Sequence, residues 1–326
     1  MKAILYKDGC TADELKIGEF EKPKPNLKQI LIKVEAAGVN RADIMQREGK
    51  YPPPKGASPI LGLEISGVVD EIGSEVTKWK KGDKVFGLIP GGGYAEYAVI
   101  EEEMAMPIPN NLSLAEAAAI PEVFLTAYQA LIYYGKIQNG EAVLIHAGAS
   151  GVGTAAIQFA KEFNAKIIVT SSPEKHEACI KLGAEKAIDY KQEDFFNEVM
   201  KYTENQGVDV IIDFIGGPYF QKNINCLRVD GRLIMLSTLG GSKISELDLR
   251  NMVSKRLSII GSALRSRSLD YRTNLVKEFS SYALDKFSNG KLKPIIDKIY
   301  DWKDVSEAHK RIEANKNIGK IILNIS

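Results

Sequence analysis

Cysteine is scarce in this chain. Cys10, Cys179 and Cys226 are the three in 326 residues, far apart and with no CxxC pair, which excludes a disulfide framework and a four-ligand structural zinc site. That usage fits a reducing compartment. Charge excess is absent too: 43 Lys+Arg against 42 Asp+Glu leave a net +1, which argues against binding nucleic acid or a membrane by bulk charge. No apolar run approaches the ~18 residues of a membrane span. The N-terminal MKAILYKDGCTADELK lacks a signal-peptide core of about 7–15 apolar residues, so the expected location is the cytosol. The three histidines, His146, His176 and His309, fall on a strand end, a helix and a tail helix with no shared spacing. Each reads as structural or surface. No Cys–His pair and no GxSxG elbow points to nucleophilic catalysis, and internal repeats and low-complexity segments are missing.

What is present is ordinary globular composition, 44% hydrophobic and 26% charged, at a length that suggests two domains of roughly 150 residues each. Up to about residue 120, short β-runs alternate with Gly and Pro: AILY, QILIKVEAAGVN, ISGVVDEIG, DKVFGLI and YAEYAVI. They predict a mostly antiparallel, barrel-like unit. After Leu112, SLAEAAAIPEVFLTAYQALIYYG has apolar residues at helical spacing, with Ser113 as N-cap and Glu116 as its capping-box partner. A regular alternation follows: strands at 142–146, 166–170, 186–190, 208–214 and 231–236, with helices between them and LSIIGS (257–262) as a sixth strand. Apolar runs of this length alternating with helices predict a parallel sheet covered on both faces. The tail from Ser268 holds a helix, a strand KPIIDKIYDW, a helix near Asp304 and a last strand GKIILNI. It has no crossover rhythm of its own and is expected to return to the first domain.

VLIHAGASGVGTAAIQFAKEF places a buried strand, a glycine-rich turn and an apolar-faced helix in that order, the context a dinucleotide fingerprint requires. Glycines let the backbone approach a pyrophosphate, and the helix directs N–H groups and the positive end of its dipole at the phosphates. Read as GxGxxG, the positions are Gly148, Ser150 and Gly153, with Gly151 as an extra small residue. The second strand ends in Thr170-Ser171-Ser172, where an NAD site carries an acidic residue for the ribose 2′-hydroxyl. Small hydroxyl residues leave room for a 2′-phosphate, and Lys175 stands just beyond to counter its charge. NADPH is therefore expected over NADH, with Glu174 turned inward as the competing reading.

Several ordered segments, AAGVNRADIMQREGKYPPPKGASPILGLEISGVVDEIG, PGGGYAEYAVI, AAAIPEVFLTAYQAL, VLIHAGASGVGTAAIQ, GSALRSR and EANKNIGKIIL, resemble the zinc-independent quinone oxidoreductase (zeta-crystallin) branch of the medium-chain dehydrogenase/reductase superfamily. The resemblance covers essentially the whole chain. It implies an α/β protein in which 1–122 and 268–326 form a GroES-like catalytic domain and 123–267 a Rossmann domain, with the active site in the cleft between them. In zinc-containing relatives a Cys ligand stands at the position of Asn40 and a His at that of Leu63, and this chain retains only Glu64; no metal is expected. The resemblance assigns catalytic positions to Asn40, near the nicotinamide, and Tyr51, near the substrate. It assigns cofactor contacts to Thr126, to Ser150, Gly151, Val152 and Gly153 at the pyrophosphate, and to Ser172, Lys175 and Tyr190 around the adenosine phosphate. Ser262, Leu264 and Ser266 would border the nicotinamide, and Asn317, Gly319 and Lys320 would close the cofactor site. Asn40 also reads as an N-cap for RADIMQ, Tyr51 as a loop residue packed on Pro52-Pro53-Pro54, and Lys320 as a residue that solvates a strand edge.

With no metal and no evident base, the nicotinamide carries the chemistry while the protein positions it and excludes water. The expected activity is reduction of a small-molecule quinone by hydride or its one-electron equivalent, with Tyr51 as a neutral hydrogen-bond donor. A 2-alkenal or enoyl reductase and a non-enzymatic NADPH-binding structural or signalling protein are the competing readings. Nucleic acid and membrane are not expected partners. The resemblance further implies a homodimer, joined by sixth strands near LSIIGS across a two-fold axis.

Overall fold

The structure, a computed structural model, describes residues 1–325. The chain forms two compact units, one of Met1–Leu125 together with the segment from Arg265 onward, the other of Thr126–Leu264. The first opens with the hairpin β1 (Lys2–Leu5) and β2 (Lys16–Glu19), the long β3 (Gln29–Val39) and the short helix α1 (Arg41–Arg47). Then come β4 (Glu64–Ile72), β5 (Lys84–Leu88), β6 (Tyr97–Glu101), β7 (Ala105–Pro107) and α2 (Leu114–Ala118). Ser113 caps α2 as the sequence predicts, its Oγ accepting from Glu116 N at 3.2 Å while the Glu116 carboxylate accepts from Ser113 N at 2.8 Å. The helical spacing after Ser113 is divided between two helices. α3 spans Pro121–Tyr128 and passes into a π-helical segment, Gln129–Tyr134. Pro121 has no N–H to continue α2, but it suits the first turn of a new helix.

The second unit continues with β8 (Ala142–Ile145), α4 (Gly151–Glu162), β9 (Lys166–Ser171), α5 (His176–Leu182), β10 (Lys186–Asp189) and α6 (Phe195–Tyr202). It is completed by β11 (Val208–Asp213), α7 (Gly217–Cys226), β12 (Leu227–Met235), α8 (Arg250–Ser254) and β13 (Ser258–Gly261). The first unit resumes with α9 (Leu269–Ser288), β14 (Ile296–Asp301), α10 (Val305–Glu313) and β15 (Lys320–Asn324).

In the second unit six parallel strands lie in the order β10-β9-β8-β11-β12-β13, the doubly wound arrangement that reverses direction beside its first strand and binds dinucleotides at that point. β8 is buried at all four positions, as a central parallel strand covered on both faces must be. Leu144, Ile168, Ile188, Phe195, Ile211 and Leu233 belong to one core cluster, and each such side chain stabilises the unit by about 1.5–3 kcal/mol.

In the first unit the sheet order is β14-β15-β3-β4-β5-β7, with β6 also paired to β3. The pairs are antiparallel except β14 with β15. The mostly antiparallel unit expected from the sequence is a seven-stranded sheet, and β15 from the chain's end lies directly on the C-terminal half of β3, Ile321 opposite Val39 and Asn324 opposite Ala36. Small residues let α2 close on this sheet, where Ala118 and Ala119 pack with Ala36 and Ile322.

The turn after β8 is tightly built. Ala147 adopts a left-handed φ of 50°, and a Cβ on Gly153 would lie 2.4 Å from Ala147 O and 2.6 Å from Gly148 O. Both neighbours are backbone and cannot swing aside. Gly153→Ala is therefore expected to lower stability by about 1–3 kcal/mol in urea unfolding; an unchanged midpoint would show that the turn has slack.

Candidate active site

Asn40 occupies the one-residue junction between β3 and α1 with extended backbone, φ −126° and ψ 155°. Its N–H donates to Asp43 Oδ2 at 2.8 Å, so the predicted capping position is real. Its side chain does something further. Asn40 Oδ1 accepts from Lys320 Nζ at 2.6 Å and Nδ2 donates to Glu64 Oε1 at 2.9 Å. Lys320 Nζ also reaches Val39 O at 2.9 Å and Glu64 Oε1 at 2.6 Å, while Glu64 Oε2 accepts from Glu122 N at 2.8 Å. Glu64 and Lys320 are 0% and 3% exposed, so the reading of Lys320 as an edge-solvating residue is corrected: the strand it opens is interior, and its ammonium is enclosed. Space for this arrangement comes from Gly38, where a Cβ would stand 2.2 Å from Glu64 Oε1. Leu63 is buried.

Tyr51 follows α1 in a loop, and the Arg265 guanidinium lies 5.2 Å from its ring centroid; this contact, rather than packing on the three prolines alone, places it. Arg265 is fixed by hydrogen bonds from Nε and Nη2 to Pro90 O and from Nη2 to Gln46 Oε1. Burial raises the Tyr51 phenol, the Glu122 carboxylate adds to that, and Arg265 partly offsets it. The hydroxyl therefore stays protonated at neutral pH. Glu122, in the first turn of α3, is itself pushed up to about 7, chiefly by burial and then by Glu64, against the pull of Lys320.

A second buried chain runs behind α1. Asp43 accepts from Gly62 N at 3.0 Å and from the Tyr94 hydroxyl at 3.2 Å, and burial raises it to about 6 despite those bonds. Tyr94 OH meets His309 Nε2 at 3.4 Å, and His309 Nδ1 lies 3.2 Å from Arg47 Nη1. Arg47 can only donate, so Nδ1 is the accepting nitrogen and the proton sits on Nε2.

In the second unit Ser150 caps α4, its Oγ accepting from Gly153 N at 3.0 Å. The hydroxyl is thus engaged with the helix. The N–H groups of Gly151 and Val152 in the first turn have no acceptor among the described residues, as at the start of any helix, and they suit an anion. The turn is braced from below: Thr170 Oγ1 lies 3.1 Å from His146 Nδ1 and accepts from Ala147 N at 3.3 Å, while His146 Nε2 meets Asn223 Oδ1 at 2.8 Å. At the end of β9, Ser172 Oγ donates to the Glu174 carboxylate, which holds that acid below the usual range, with Lys175 and Lys191 contributing. Lys175 is buried, whereas Tyr190 is exposed with the Lys191 ammonium 5.9 Å from its ring. The residues at hand fit a dinucleotide: unpaired N–H groups at a helix start and lysines beside the second strand's end.

Of the remaining positions, Thr126 lies partly buried in α3 and Ser262 Oγ bonds Gln129 Oε1 at 2.8 Å. Leu264 is buried and Ser266 exposed. Asn317 Nδ2 donates to Gly319 O at 2.8 Å in the turn before β15, where Gly319 has φ +75° and no room for a Cβ against Ile295 O. The structure brings Asn40, Glu64 and Lys320 into one bonded group. Arg265 and Glu122 were missed in the sequence, although both stand in quoted segments, GSALRSR and AAAIPEVFL; nothing local marks either as buried. Among the described residues no three His, Cys, Asp or Glu side chains converge as a metal cage requires, and no helix is long and apolar enough to cross a membrane.

Residues 26–110 match the Alcohol dehydrogenase GroES-like domain family and residues 151–281 the Zinc-binding dehydrogenase family. A human quinone oxidoreductase is 33% identical over 99% of this chain and 97% of its own. The chain belongs to the quinone oxidoreductase-like branch of the medium-chain dehydrogenase/reductase superfamily. Within that superfamily, the solved Escherichia coli quinone oxidoreductase complexed with NADPH superposes with a TM-score of 0.90 at 28% identity, covering 100% of both chains. The CurK enoyl reductase gives 0.88 at 28% identity, covering 100% of this chain and 99% of its own. This member of the superfamily is thus an oxidoreductase with a nicotinamide-binding fold.

Burial lowers His146 to about 4 and His309 to about 3, the latter with help from Arg47, against ~6.5 in an unfolded chain. The folded state therefore binds these protons less tightly. Stability from both groups is present above the unfolded value and is lost as pH falls through their folded values. Long-range proton–nitrogen spectra should show both rings neutral at about pH 5.5, and a titration of either above pH 6 would contradict the burial.

Proposed function

We propose that this oxidoreductase is a metal-free, NADPH-dependent quinone reductase. The observation that carries the reading is the buried Lys320 ammonium held 2.6 Å from Glu64 and 2.6 Å from Asn40. The positive charge beside the Glu64 carboxylate is supplied by the chain itself, at the positions where zinc-containing relatives place ligands. With no Lewis acid on the acceptor oxygen, the acceptor must accept electrons readily, and quinones do so with little acid catalysis.

The nicotinamide, when bound, supplies the hydride. Gly151 and Val152 direct their N–H groups at the pyrophosphate, with Ser150 and Gly153 shaping that turn. Ser172, Lys175 and Tyr190 receive the adenosine phosphate, and Lys191 adds a second cation. Glu174, bonded to the Ser172 hydroxyl, is the group that a ribose 2′-hydroxyl would have to displace. Thr126, Ser262, Leu264, Ser266 and Asn317 are assigned to the cofactor by the family pattern, and Asn40 to the nicotinamide side with its amide orientation fixed by Lys320. Tyr51, kept protonated, donates to a quinone oxygen. The partly exposed edge strand β13 supports a two-fold homodimer, and the enzyme is proposed to act in the cytosol.

NADPH oxidation by the purified protein with phenanthrenequinone tests this reading, run beside NADH and a 2-alkenal with chelator present throughout. Turnover with NADPH and quinone is expected to survive chelation. Lys175→Ala should raise KM for NADPH about tenfold while leaving that for NADH unchanged, and Tyr51→Phe should lower quinone kcat/KM by about tenfold, the worth of a charged or polar hydrogen bond. Equal use of NADH overturns the cofactor assignment, loss on chelation the metal-free one, and strong preference for the alkenal the substrate class.

A further inference from the structure

Arg265 is 9% exposed, yet its donors are unevenly engaged. Nε donates to Pro90 O at 3.0 Å, and Nη2 to Pro90 O and Gln46 Oε1, both at 2.7 Å. Nη1 is buried and has no hydrogen-bond partner among the described residues. A guanidinium carries five N–H donors and cannot shed its proton, so two charged donors are buried without an acceptor among the described residues. Leaving such donors unpaired is costly, and here the cost is built in: the other half of the group is locked by a backbone carbonyl and by Gln46, which is itself tied to the Tyr6 hydroxyl and Pro59 O. The side chain cannot rotate to aim Nη1 elsewhere without breaking three bonds. Among the described residues no carboxylate forms an ion pair with it; Asp43 and Glu122 act on it only at longer range, and burial dominates its environment. The cation lies 5.2 Å from the Tyr51 ring centroid, and the Tyr51 hydroxyl bonds to no other described residue.

We propose that Arg265 Nη1, together with the Tyr51 hydroxyl, forms a binding site for a negatively polarised oxygen on an aromatic ring, such as a quinone carbonyl or the phenolate of its reduced product. The naming of the quinone rests on the reading above. The oxygen site itself rests on the unpaired guanidinium. Its role is to hold the acceptor by the atom on which negative charge accumulates, where a preorganised charged donor acts most strongly.

4-Nitrophenol is a direct probe, because its yellow band reports ionisation of the bound molecule without turnover. Bound to the wild-type protein it should ionise at a lower pH than when free, and Arg265→Gln should abolish that shift. The same variant should lower quinone kcat/KM by about ten- to a hundredfold, as loss of a charge-assisted bond predicts, with NADPH affinity unchanged, and Arg265→Lys should restore part of both effects. Absence of nitrophenol binding to the wild type, ionisation as in free solution, or a shift that persists in Arg265→Gln would overturn the proposal. Should Arg265→Gln fail to fold, the wild-type titration and Arg265→Lys still decide it. A clear Arg265-dependent shift in a protein that reduces no quinone would uphold the site and overturn the quinone reading; quinone turnover with no shift would do the reverse.

Discussion

The group of side chains around Asn40 is organised around one buried ion pair, Lys320 with Glu64 at 2.6 Å. Lys320 opens the last strand, Glu64 opens β4, and Asn40 bridges them from the end of β3. Glu64 also receives the N–H of Glu122 at the start of α3. Four elements from distant parts of the chain therefore share a single charge-compensated point. Removing either partner would strand a charge that is fully buried, a loss of about 3–5 kcal/mol for pairs of this kind. The C-terminal strand is thus part of the site through its first residue, and Gly38 is the absence of a side chain that makes the pair possible.

Around that point the environment drives neighbouring groups in opposite directions. Burial raises Asp43 to about 6 and Glu122 to about 7 and lowers His309 to about 3, so burial works against the charged form of each. Arg265 is the buried group in this setting whose charge cannot be shed. A low-dielectric setting with fixed donors is where hydrogen bonds to a developing charge count most. The quinone reading draws on that setting more than on any acid or base, since the Tyr51 phenol is raised and remains a donor.

The fold was largely legible because its signals are local. The alternation of apolar runs and helices predicts the six parallel strands, the SLAE segment its capping box, and the glycine turn its place between β8 and α4. Helical spacing after Ser113 predicts helix without marking where it divides, and Pro121, whose ring ends one helix and begins another, sets that break. The site was legible only in part. Asn40 and Tyr51 were named through a family pattern, but the bonds that orient them join residues 280 and 219 positions apart, Asn40 with Lys320 and Gln46 with Arg265. No periodicity or spacing rule spans such separations. Lys320 next to a strand edge reads as solvated until the neighbouring strand is known, and Arg265 reads as one more basic residue in GSALRSR until its burial is seen.

The most direct test of the account is a double-mutant cycle on that pair, Lys320→Met, Glu64→Gln and the two combined, followed by urea unfolding. Each single change is predicted to destabilise by about 3–5 kcal/mol, and the double variant to lose far less than their sum, giving a coupling of at least about 2 kcal/mol. Additive losses, or single variants as stable as the wild type, would mean that the buried charges do not hold the site together.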